Sequence, residues 1–90
     1  VAHTFEELVE MQRTADTAHA QAEQLREQYG PPGPRPWSAR QSQTYETAWR
    51  AWRDLARDVQ AAVAAYAERQ GESRQDVEAR VREAAGGAQG

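Results

Sequence analysis

Apolar residues recur along this 90-residue chain at alternating intervals of three and four, and no stretch alternates with a period of two. Leu8, Met11, Ala15, Ala18, Ala22, Leu25 and Tyr29 form one such series, and Tyr45, Ala48, Trp52, Leu55, Val59, Ala62 and Tyr66 form a second. Trp49, Ala56 and Val63 widen the second stripe by a flank position. This is the spacing of helices packed side by side in a bundle, where every third or fourth residue returns to the same face. Val77, Val81 and Ala84 give a shorter apolar face near the C-terminal end. The pattern predicts an all-α fold without strands.

Helix start and stop signals bracket the same three segments. Thr4 precedes the first, with Glu7 three residues on to complete a capping box, and Glu6 and Glu7 bring the charge that a helix N-terminus favours. Gly30 followed by Pro31 closes it, a left-handed glycine before a residue that cannot continue a helix. Ser38 with Gln41 opens the second helix and Gly71 ends it; Ser73 with Asp76 opens the third, which runs into "GGAQG". The expected elements are helices over 5–29, 39–70 and 74–85, an elbow over 30–37 and a frayed tail over 86–90, all within a single helical domain spanning 1–90.

All four prolines lie in the elbow, "GPPGPRPW". Each fixes its own φ and biases the residue before it toward extended backbone, so the octet reads as a stiff spacer rather than a polyproline ligand. Two apolar seams of similar length joined by eight residues predict an antiparallel αα-hairpin. Pairing outward from the elbow sets Ala18 and Ala22 opposite Tyr45, Trp49 and Trp52, and Phe5, Leu8 and Met11 opposite Val59, Ala62 and Val63, large residues facing small ones. The third helix is expected to fold back onto the second.

Composition narrows the available chemistry. Cysteine is absent, which removes disulfides and thiolate sites, and Lys, Ile and Asn are absent too. Those last three share AT-rich codons, so the pattern points to a high-GC bacterial genome rather than to a requirement for arginine. Net charge is −3 with acids and arginines interspersed, unlike the basic stripe of a nucleic-acid or anionic-membrane binder. No apolar run approaches a membrane span, and none near the N-terminus has the form of a secretion signal, so the expected compartment is the cytoplasm.

Catalytic and metal constellations are poorly provided for. Asp16 and His19 have the carboxylate-x-x-His spacing used by di-metal bundles, but every seam position of the second helix from 45 to 66 is apolar and offers no further ligands. Ser38 and Ser73 are accounted for as caps, and no histidine is placed by sequence to activate either. An electrostatic enzyme holding an anion between helices needs arginines on the seams, whereas Arg26, Arg50, Arg53 and Arg57 fall outside them. No metal, cofactor or catalytic residue is expected.

Arg74, Arg80 and Arg82 on the third helix, following a glycine turn and a serine cap, carry the alternative of a regulatory DNA-binding module. Glu68, Glu72, Asp76, Glu78 and Glu83 offset them, and phosphate contact wants net positive charge. The aromatic cluster is more informative. Trp37, Tyr45, Trp49 and Trp52 gather near the elbow with Arg50 and Arg53 beside them, the residue types that anchor protein interfaces. Each indole has roughly 150–250 Å² to bury, more than the alanines of one facing helix can cover in three copies.

A helical hairpin with a tryptophan at its turn resembles the Trp-x-Gly hairpin proteins secreted by actinobacteria, which pair into four-helix bundles. The shared residues are "WSA" at Trp37, with Ala39 where that family has glycine. Its C-terminal Tyr-x-x-x-acid signal is unmatched, since Gln70 stands four places after Tyr66. The chain also resembles small helical proteins of high-GC actinomycetes, a likeness that implies no function. The reading that follows from the residues is a non-enzymatic helical interaction module that completes its bundle as a homodimer, with Trp37, Tyr45, Trp49, Trp52, Arg50 and Arg53 at the interface.

Overall fold

Thr4, in extended backbone, accepts a hydrogen bond from the Glu7 N–H through its hydroxyl at 3.1 Å, and its own N–H donates to the Glu7 carboxylate at 2.9 Å. This closed capping box starts helix α1 (Phe5–Tyr29) in the computed structural model, which describes residues 2–31, 33 and 36–87. The hydrogen bond from the Thr4 N–H, with help from the Thr4 side chain, holds the Glu7 carboxyl below the usual glutamate range. A second capping box, Ser38 with Gln41, starts α2 (Ala39–Gln70). The Ser73 hydroxyl accepts from the Asp76 N–H at the start of α3 (Arg74–Gly87). No strand occurs among the described residues, so the fold is all-α. Among those residues no helix is long and apolar enough to cross a membrane.

The two helix-ending glycines differ. Gly71 sits at φ 66, ψ 32, the left-handed conformation, and the Glu72 N–H donates to the Ala67 carbonyl at 2.9 Å to complete a Schellman closure. Gly30 was expected to do the same, but it combines φ 78 with ψ 171. The proline at 31 supplies the reason: its ring crowds the preceding residue out of helical ψ and into extended ψ. Pro32, Pro34 and Arg35 of the expected elbow lie outside the described residues, as does the end of the expected tail, 88–90. The other correction at that end is that Gly86 and Gly87 continue α3 rather than fray.

Contacts between α1 and α2 run in opposite order along the two helices. Phe5 meets Tyr66 with ring centroids 6.2 Å apart, His19 meets Trp52, and Tyr29 meets Trp37 just before α2 begins. An Arg69 guanidinium N–H donates to the His3 carbonyl at 2.7 Å, tying the end of α2 to the start of α1. The third helix corrects the expected packing, because it lies against α1 as well as α2. Val77 and Val81 join one cluster with Leu8 and Ala15 of α1 and with Val59, Ala62, Val63 and Ala67 of α2.

That arrangement moves the core toward one end. All buried residues of α2 fall between Val59 and Ala67, and none occurs from 39 to 58. Val63, expected on a flank, is 2% exposed and central, because α3 covers the face that a two-helix packing would leave open. Val9, absent from the expected seam, is buried too, and α1 has a second neighbour in α3. On α3 the deeply buried series is Val77, Val81 and Ala85, four residues apart, with Ala84 only half-buried. The radius of gyration is 16.1 Å, against about 12 Å for a compact domain of this length. The excess reflects the long elbow half, where only α1 and α2 are available to cover each other.

Candidate interaction surface

The half of α2 without buried residues carries the aromatic cluster. Trp37 stands one residue before the Ser38 cap, and its indole N–H donates to the Gly30 carbonyl at 2.7 Å. Its ring lies edge-on between Tyr29 at 5.4 Å and Tyr45 at 5.2 Å, so both helices hold it. Tyr45 and Trp49 are four residues apart and share a helical face. Trp49 in turn meets Trp52 edge-on at 6.0 Å. Trp52 reaches across to α1, where its ring and the His19 imidazole lie 4.8 Å apart.

This geometry separates residues that sequence spacing had grouped. Trp37, Tyr45 and Trp52 are half-buried, and each has an aromatic partner outside the stretch from Tyr45 to Trp52 or across the helix pair. Trp49 is the exposed one, at 37%, the single exposed large hydrophobic among the described residues. Its ring carries the Arg53 guanidinium 5.0 Å from the centroid, a cation–π contact within one helical turn. Arg50 pairs with Glu46 one turn back, on the exposed side. Ala22 is buried at this end of α1 and Ala18 is half-buried, and the Trp52 ring meets His19, the residue after Ala18.

Two depressions flank this surface. An open hollow of about 310 Å³ is lined by Trp37, Ser42, Tyr45, Glu46 and Trp49. A groove of about 470 Å³ lies at the junction of the three helices, with Ala15, Val59 and Val63 in its lining and Asp16, His19, Glu78 and Arg82 among its polar residues. Those polar groups largely occupy one another or their neighbours. Arg82 pairs with Glu78 at 2.8 Å, Asp16 accepts from the Gln12 amide at 2.9 Å, and His19 lies 3.9 Å from Glu23. The carboxylate nearest His19 is thus Glu23, one turn on, rather than the Asp16 that spacing suggested. No group of three or more potential metal ligands is found among the described residues.

The arginines of the alternative nucleic-acid surface are partly engaged as well. Arg80 pairs with Glu72 and lies 5.7 Å over the Phe5 ring, and Arg82 is held by Glu78; Arg74 is exposed in the first turn of α3. Every buried side chain among the described residues is apolar.

What spacing missed was the clamp of Trp37 on Gly30, the tilted contact of His19 with Trp52, and the hollow between Trp37 and Trp49. A signal for the last was present: Tyr45, Trp49 and Arg53 recur every four residues on one face of α2, with Trp37 one residue before its cap. No family model, curated protein or solved structure matches this chain.

Proposed function

We propose that this chain is a non-enzymatic helical protein–protein interaction module that pairs with a second copy of itself through the elbow half of α2. In this reading α1 and α2 form an antiparallel hairpin turned at the proline-rich elbow, and two hairpins make a four-helix core. Trp49 lies near the two-fold axis, Trp37, Tyr45 and Trp52 surround it, and Arg50 and Arg53 stand at the rim.

The observation that carries this reading is the exposure of Trp49 on a helix half that has no buried residue. The third helix is 14 residues, hence about 21 Å, against about 48 Å for the 32 residues of α2. It therefore completes a three-layer core at one end only. At the other end half-buried indoles and alanines remain in contact with water, at a cost of about 25 cal/mol per Å² of apolar surface. A second copy laid on the same face removes that cost in both chains at once. The engagement of Arg80 by Glu72, before α3, and of Arg82 by Glu78, within it, favours this reading over nucleic-acid binding.

Light scattering over a dilution series tests it. The expected result is a mass that rises from 10.1 kDa toward twice that value with concentration, and Trp49→Ala should hold the protein at the lower mass while leaving it helical. A wild-type mass that stays at the monomer value at high micromolar concentration would defeat the proposal. Strong, salt-dependent retention of the wild type on duplex DNA would point to the third helix instead.

A further inference from the structure

The geometry points to the hollow between Trp37, Tyr45 and Trp49 as a binding site for a small soluble quaternary ammonium compound. Three aromatic side chains and one carboxylate line it, and its volume of about 310 Å³ suits a trimethylammonium head rather than a peptide helix. Aromatic faces attract cations through their quadrupole, and they favour weakly hydrated, methylated cations because little water is lost on entry. The site lies within one chain, and because the proposed pairing would cover the same residues it is open in the unpaired chain.

Several features prepare the hollow before any ligand arrives. Trp37 is fixed by its hydrogen bond to the Gly30 carbonyl and by its edge contact with Tyr29. The Trp37 and Tyr45 rings meet at 70°, forming two walls close to a right angle. The third wall, Trp49, comes from the next turn of the same helix face. Glu46 adds a carboxylate; its Oε1 accepts from Arg50, which offsets part of its charge, and the carboxylate has a second oxygen. The Arg53 guanidinium over the Trp49 ring is an internal example of the same attraction.

Tryptophan emission of the dilute full chain, titrated with choline chloride at ionic strength fixed by sodium chloride, provides the test. A saturable change with a midpoint in the millimolar range is expected for so open a site. The neutral isostere 3,3-dimethylbutan-1-ol, in which carbon replaces the ammonium nitrogen, should bind on the order of tenfold more weakly. Glu46→Gln should weaken choline severalfold, and Trp49→Leu should abolish the response with helicity by circular dichroism unchanged.

Equal binding of choline and the isostere would overturn the inference, leaving an apolar hollow only. So would a response that does not saturate, or one that Trp49→Leu preserves. Sedimentation with phosphatidylcholine vesicles in the absence of any free-choline binding would overturn it in favour of a lipid surface. Mass measured alongside keeps this result separate from self-association: a dilute monomer that binds choline supports the site whatever the mass at high concentration, and a dilute monomer indifferent to choline overturns the site while leaving pairing at high concentration untouched.

Discussion

The indole N–H of Trp37 donates to the backbone carbonyl of Gly30 at 2.7 Å, linking the residue that ends α1 to the residue before the cap of α2. Seven positions separate them, and the intervening segment contains all four prolines. The bond therefore closes the base of the elbow, while Tyr29 and Tyr45 pack on the same ring from either helix. Trp37→Phe retains an aromatic ring and removes the donor. It should destabilise the fold by about 0.5–1.5 kcal/mol, the usual contribution of one such bond. Urea denaturation checks this, with a lowered midpoint and an unchanged slope; an unaltered midpoint would show that the bond contributes nothing.

Glycine at 30 and at 71 should respond differently to alanine. In neither place would an added Cβ meet a heavy atom within 4 Å, so the cost is backbone strain and not collision. Gly71→Ala should cost about 1–2 kcal/mol, the penalty for an L-residue in left-handed helical backbone, and Gly71→Asn should cost less. Gly30 combines positive φ with extended ψ, a region essentially restricted to glycine. Gly30→Ala should therefore be the more damaging of the two. Thermal melts of the three variants test the order, and equal melting temperatures for both alanine variants would contradict it.

Alanines on α1 report directly on packing. Ala15 and Ala22 are 2% and 1% exposed, and a leucine at either should overpack its site at a cost of about 1–3 kcal/mol. Ala18 is half-buried between them in sequence, and its side chain has an outlet to solvent. Ala18→Leu should consequently shift stability by less than either neighbour does. Should Ala18→Leu prove the most disruptive, the elbow half would be packed more tightly than these exposures indicate.

Acid should weaken the start of α1. Hydrogen bonding to Thr4 holds the Glu7 carboxyl below its ordinary range, so folding favours the ionised form. That contribution is complete above the unfolded-state value and is lost as pH falls through the lower folded-state value. Glu7→Gln keeps an acceptor for the Thr4 N–H but cannot titrate. Stability of the variant should therefore decline less steeply than wild type across the acidic side of the carboxylate range. Identical pH profiles would mean that Glu7 is not the group responsible.

Local chemistry was enough to define the helices. Thr4 with Glu7 and Ser38 with Gln41 satisfy exposed helix N–H groups using side chains three residues away, and that relation is written in the order of the residues. The intervals of three and four likewise follow from the helical repeat and predicted which faces turn inward, as Leu8, Ala15, Val59 and Ala62 do. Gly30 shows where even local reading needs its neighbours, since the proline after it decides ψ.

Tertiary structure decided what no single helix can specify, namely which faces receive a second neighbour. By lying against both α1 and α2, α3 brings Val77 and Val81 into one cluster with Val63 and makes Val63 central, although it does not belong to the main seam of its own helix. The same short helix leaves the elbow half with only two layers, which is why Trp49 alone among the large hydrophobics of the described residues remains exposed while Trp52 turns onto His19 and Trp37 closes on Gly30. Periodicity assigns a residue to a face of its own helix; burial depends on what lies opposite that face, and that is set by the lengths and crossing of all three helices together.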